Sequence, residues 1–147
     1  MVSEDHRVIL LLESDEQDAA QITNYLVGAD SNALVHHVKD CAGVNAYLRR
    51  CSGRQASDVL QCPRLIILCI NYLTSDVSEV LDYLHRDRDL LKTPVLIFSE
   101  SVNDSDIKVA YDKGVNSFLQ KPDNPADLGE IFREVTEYWL KWNQLPS

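Results

Sequence analysis

The sequence predicts an α/β fold in which a five-stranded parallel sheet is covered by helices on both faces. Two observations carry the prediction. Five strand-like segments recur along the 147 residues, three of them unbroken apolar runs, and each is followed by a segment whose apolar residues fall at helical spacing. Parallel neighbours need a crossover, usually a helix, and an inner strand covered on both faces shows no polar alternation. The length is that of one domain with a real core, and a single domain over 1–147, with its core at about 6–142 and no output domain, is expected.

The first run, Val8-Ile9-Leu10-Leu11-Leu12, ends in Glu13-Ser14-Asp15 and has the form of a central strand. From Asp15 to about Val27, Ala19, Ile22, Tyr25 and Leu26 recur at helical spacing, with Asp15 placed as N-cap for Gln17 and Asp18 and Gly28 as the stop. Ala33 to Val38 reads as a second, less buried strand, and Ala42 to Arg50 as a second helix. A polar linker opens at Gly53. After Pro63, Leu65-Ile66-Ile67-Leu68-Cys69-Ile70 is the most apolar run of the chain and the expected centre of the sheet. Val77, Val80, Leu81 and Leu84 stand at i, i+3, i+4, i+7 and predict a third helix. Val95-Leu96-Ile97-Phe98, ending at Ser99, is the fourth strand, and a helix with Ile107, Val109, Ala110 and Tyr111 runs to a cap at Gly114. Ser117-Phe118-Leu119 is the fifth strand. The segment from Ala126 to Trp142 then places Leu128, Ile131, Phe132, Val135, Tyr138, Trp139 and Trp142 on one broad stripe.

Charge and cysteine usage narrow the function. A formal net charge of −9, from 23 acidic against 14 basic residues with no basic run, argues against a nucleic-acid footprint. The five apolar residues from Val8 are too few for a membrane span or a signal peptide, so a cytoplasmic protein is expected. Cys41, Cys51, Cys62 and Cys69 form no C-x-x-C pair. His36 and His37 are strand neighbours facing opposite ways, so no metal site is expected.

In doubly wound sheets the site lies beyond the carboxyl ends of the strands, which singles out Glu13-Ser14-Asp15, Cys69, Ser99 and Lys121. Around these residues the chain resembles the receiver domains of response regulators over nearly its whole length. VILLLESDEQDA is similar to the family's first strand and acidic turn, RLIILCINYL to its acceptor strand, PVLIFSES to its hydroxyl strand, and AYDKGVNSFLQKP to its lysine strand. The ending EYWLKWNQLP is similar to that of small stand-alone regulators paired with bacterial phytochromes. The resemblance implies a flavodoxin-like (βα)5 sheet of order 2-1-3-4-5.

It also implies a chemistry from which this chain departs. In the family an aspartate closing the third strand takes a phosphoryl group as a carboxylate nucleophile, with Mg2+ held by that aspartate and by a pair of acids after the first strand. Matched position by position, Glu13 falls on the first acid of the pair, Ser14 on the second, and Cys69 on the acceptor. Ser99 matches the hydroxyl residue, Phe118 the aromatic switch residue and Lys121 the phosphate-pairing lysine. Mg2+ prefers oxygen ligands and a thiol is a poor one, so Mg2+ binding is expected to be weak or absent and no catalytic residue remains.

The expectation is an atypical receiver, not an enzyme, that signals by phosphorylation-independent protein–protein contact with a sensor histidine kinase or another signalling protein, with homodimerisation open. Its contact surface in the family is the fourth helix, fifth strand and fifth helix. Tyr111, Phe118, Trp142 and Leu145 are the interface candidates, Trp139 being assigned to the core side. A thiol redox switch at Cys69, activated by Lys121, is the alternative, set against a buried cysteine acting as a small hydrophobe. Lys121 needs an anionic partner, for which Glu13 is the nearest candidate.

Overall fold

The computed structural model describes residues 7–52 and 62–144. Five strands, β1 (Arg7–Leu12), β2 (Ala33–Val38), β3 (Leu65–Ile70), β4 (Val95–Ser99) and β5 (Ser117–Gln120), form one parallel sheet of order β2-β1-β3-β4-β5. The helices α1 (Glu16–Ala29), α2 (Cys41–Ser52), α3 (Ser75–Arg86), α4 (Asp104–Asp112) and α5 (Pro125–Glu137) alternate with them. This is the flavodoxin-like order 2-1-3-4-5 expected from the sequence.

Period-two alternation sorts the apolar runs onto two faces. Val8, Leu10, Leu12, Ile66, Leu68, Val95 and Ile97 meet residues of α2, α3 and α4 in one core. Ile9, Leu11, Leu65, Ile67, Cys69, Leu96 and Phe98 meet Ile22 and Leu26 of α1 and Leu128 and Phe132 of α5 in the other. The Phe98 and Phe132 rings stack at 4.5 Å in that second core. Where α1 and α5 approach, a Cβ at Gly129 would stand 2.7 Å from the Tyr25 ring, so the close contact of the two helices needs a glycine there.

Caps fix the helix ends. Asp15 and Thr74 accept the N–H groups of Asp18 and Val77 at the starts of α1 and α3. Asn103 does the same for Asp106 in α4. Two expected ends are corrected. Gly28 does not stop α1, which continues to Ala29. Asp30 is the cap, with its N–H on Leu26 O and its carboxylate on Arg7 at 2.8 Å. The last helix is not uniform to Trp142 either: after Glu137 it widens into a π-helical segment, Tyr138–Trp142, closed by Asn143 N–H on Tyr138 O. The buried Thr136 hydroxyl donates to Phe132 O just before that change. The wider turn shifts the phase of the stripe. Leu140 is buried instead, Trp139 stays partly buried in the second core, and Tyr138 and Trp142 turn outward. Gly114, at φ +96°, ends α4 as expected.

Candidate functional site

The carboxyl ends of β1 and β3 open into a cavity of about 240 Å3. Glu13, Ser14, Cys69 and Lys121, singled out from the sequence, line it together. Two further site candidates do not. In register, Ser99 lies beside Ile70 and Phe98 beside Cys69, so Ser99 and Cys69 turn to opposite faces of the sheet. Ser99 is fully buried, and its hydroxyl donates to Ser101 O at 2.7 Å with Asn71 O also in reach at 3.2 Å. Phe118 is half-buried and packs against the α2–α4 core, away from the cavity.

Within the cavity the charges are largely settled. Lys121 Nζ donates to Glu13 Oε1 at 3.1 Å, and Asp18 stands 3.8 Å away. Glu13 is 4% exposed, and its other carboxylate oxygen accepts the Asp15 N–H. Burial works against the Lys121 charge, yet the hydrogen bond and charge of Glu13, with the charge of Asp18, outweigh it and raise its pKa above the ordinary lysine value. Beside this pair lies the Cys69 thiol, 6% exposed. Burial, reinforced by the Glu13 carboxylate and only partly offset by Lys121, pushes it well above the ordinary thiol range. It is a protonated thiol at neutral pH, which removes the basis for a reactive thiolate.

The donor set can be tested against a divalent ion. Mg2+ and Mn2+ take hard oxygen ligands. Here the cavity's carboxylates are Glu13, already bridging a lysine and a backbone amide, and Asp40, already capping α2, and beside them stand an exposed serine hydroxyl and a protonated thiol. Among the described residues no three His, Cys, Asp or Glu side chains converge as a metal site. The residues present do not fit the ion.

Other lining residues escaped the sequence reading. Lys39, Asp40 and Cys41 follow β2, and Asn71, Tyr72 and Thr74 follow β3. The signal was available, because the strand-end rule applies to these loops as much as to the strand ends themselves. Asp40 is occupied in capping α2, accepting the Gly43 N–H at 2.8 Å. Cys41 is also held above its ordinary pKa, by burial and then by Asp76, Asp40 and Glu79.

Tyr111 is 48% exposed, and its hydroxyl accepts the Phe118 N–H at 3.2 Å. Trp142 is the most exposed large apolar side chain among the described residues, at 75%. Leu145 lies outside the described residues.

Comparison with known proteins decides the family. The crystal structure of a phosphorylated cyanobacterial phytochrome response regulator, RcpA, matches with a TM-score of 0.83 and 32% identity over 97% of this chain and 99% of that one. The chain belongs to the response-regulator receiver family. A probable methanogenesis regulatory protein, FilR2, from Methanothrix harundinacea (strain 6Ac) is 32% identical over 145 residues, covering 99% of this chain and 91% of that protein. The response regulator Rcp1 of Synechocystis sp. (strain ATCC 27184 / PCC 6803 / Kazusa) is 28% identical over 141 residues, 96% of this chain and 94% of that one. The Mn2+-bound form of Rcp1 superimposes with a TM-score of 0.80. No family model matches the chain. Among the described residues no helix is long and apolar enough to cross a membrane.

Proposed function

We propose that this receiver transmits its signal through protein contacts alone, its phosphoryl chemistry having been lost. The observation that carries the reading is Cys69. It closes the central strand where the family's acceptor carboxylate stands, and it is a buried, protonated thiol beside an ion pair that already satisfies Lys121. Acceptance of a phosphoryl group needs a carboxylate nucleophile and a cation held against it. With Ser14 in place of the second acid, Mg2+ binding is weak or absent. RcpA is described as phosphorylated and Rcp1 as binding Mn2+. On the reading proposed here, this chain departs from such relatives in its pocket and keeps their fold.

The partner we propose is a sensor histidine kinase or another cytoplasmic signalling protein, since RcpA is the response regulator of a phytochrome. Contact is made through α4, β5 and α5, with Tyr111, Phe118, Trp142 and Leu145, and the same surface serves a homodimer. Incubating the protein with an acyl-phosphate donor and Mg2+ and recording the intact mass tests the chemistry. An unchanged mass is expected; a phosphoryl adduct on Cys69 or any neighbouring residue overturns the reading.

A further inference from the structure

The loop that closes the cavity on the β3 side, residues 71–74, is bonded to the segment between β4 and α4 and, at one point, to α4 itself. Glu100 N–H donates to Ile70 O at 3.1 Å and Ser101 N–H to Asn71 O at 2.9 Å. The buried Ser99 hydroxyl reaches both Ser101 O and Asn71 O. Beyond these, the Asp106 carboxylate, in the first turn of α4, accepts the Leu73 N–H at 3.2 Å. Leu73 immediately precedes Thr74, the cap of α3, so one carboxylate joins the starts of two helices. At its other end α4 is held by Tyr111, which accepts the Phe118 N–H, and just beyond it Lys113 pairs with Asp82 of α3 at 2.8 Å. Asn71, Tyr72 and Thr74 line the cavity, and Tyr72 is 59% exposed at its mouth.

We propose that Asp106 is a positioning residue that couples the cavity wall at 71–74 to α4, so that whatever displaces Tyr72 is read on the helix face bearing Tyr111. Asp106 is the one α4 side chain hydrogen-bonded to this loop among the described residues: without it the loops still touch at Asn71, Ser99 and Ser101, and Leu73 keeps its apolar packing but loses its hydrogen bond to the helix. The inference rests on the preceding reading in one respect, that α4 faces the partner. Coupling of this kind requires an element that both sites bias, and α4, bonded at both ends, is that element.

The experiment uses the full chain, without partner or phosphodonor, so its outcome is independent of the adduct assay. Amide chemical shifts are recorded for the wild type, D106N and D106A, each with and without Tyr72→Ala. In the wild type Tyr72→Ala is expected to shift the amides of Ile107 to Tyr111. D106N, which keeps an acceptor oxygen, retains those shifts, and D106A confines them to the loop. Exchange of the Leu73 amide should quicken roughly tenfold in D106A and stay near wild type in D106N. Shifts that reach α4 equally in D106A overturn the proposal, and so do wild-type shifts that stop at the loop, a result that requires no variant at Asp106 to fold.

Discussion

Removing Lys121 exposes how much the buried ion pair contributes. At 3.1 Å and an effective dielectric of about 20, the Lys121–Glu13 attraction is about 5 kcal/mol before desolvation. Both side chains are nearly sealed, at 12% and 6% exposure, so most of that gain offsets the cost of burying two charges. Asp18, at 46% exposure, adds less than about 1 kcal/mol. Lys121→Met leaves Glu13 buried with only the Asp15 amide, and a lone buried charge of this kind costs about 3 kcal/mol. Urea unfolding should show it as a midpoint lower by roughly 1–2 M. Glu13→Gln combined with Lys121→Met should cost at least about 1 kcal/mol less than the sum of the single substitutions. The pair also gives a pH signature. The folded pKa of Lys121 is raised above 10.5, so its contribution is complete below pH 10.5 and is lost as pH rises through the folded value. That alkaline decline should be absent in Lys121→Met. Additive single substitutions, or a Lys121→Met midpoint within error of wild type, would refute the argument.

Three further outcomes follow from other parts of the molecule. Alkylation of Cys69, mapped by peptide mass, should be at least roughly a hundredfold slower than that of a small free thiol, because reagent enters only when the core opens; a rate near the free thiol's would restore the redox reading. The exposed His36 ring packs at a tilt against Tyr47, 4.4 Å between centroids, and the partial desolvation there, then Arg50 and His37, lower its pKa below 6.5. Its contribution is therefore complete above pH 6.5 and lost as pH falls through the lowered value, a decline in the unfolding midpoint that His36→Phe should remove. Phe132→Ala, which empties the stack on Phe98, should cost about 3–5 kcal/mol by chemical denaturation, and a loss under 1 kcal/mol would mean that the α5 core is not packed as described.

The fold was legible because the strands are apolar runs whose alternation leaves no other arrangement. Ile66 and Ile67 can both be buried only if helices cover both faces. The ends of elements were less legible. Gly28 has the composition of a stop, but the cap is Asp30, whose role depends on Arg7, twenty-three residues away. The π-helical turn after Glu137 leaves no mark in the spacing, so the stripe drawn through Tyr138 and Trp142 was out of phase with the true one through Leu140. In the site, residues at strand ends were found by position: Glu13, Cys69 and Lys121 come together because β1, β3 and β5 all end on the same edge of the parallel sheet. Ser99 was found in the chain but not in the cavity, because its orientation follows from register against β3, and register is a tertiary fact.

If Cys69 stands at the acceptor position, as proposed above, Cys69 and Lys121 together explain how a receiver can carry a thiol there without losing its core. A carboxylate at the end of β3 would share Lys121 with Glu13 and would have to be kept hydrated or bound to a cation. A protonated thiol has neither requirement. It packs with Leu65 and Ile67 against the α1 and α5 face, and Lys121 then keeps one buried anionic partner, Glu13, with the half-exposed Asp18 further off. The same replacement that removes the nucleophile thus leaves the buried charges balanced one against one. On this argument Cys69→Asp alone should destabilise the fold at neutral pH, because the added charge competes with Glu13 for Lys121, the other cavity cation, Lys39, being exposed. Asp substituted at Ser14 as well should deepen that loss, unless a divalent ion is supplied. A Cys69→Asp variant as stable as the wild type, with or without the ion, would show that the pocket tolerates the carboxylate, and that charge balance is not what the thiol secures.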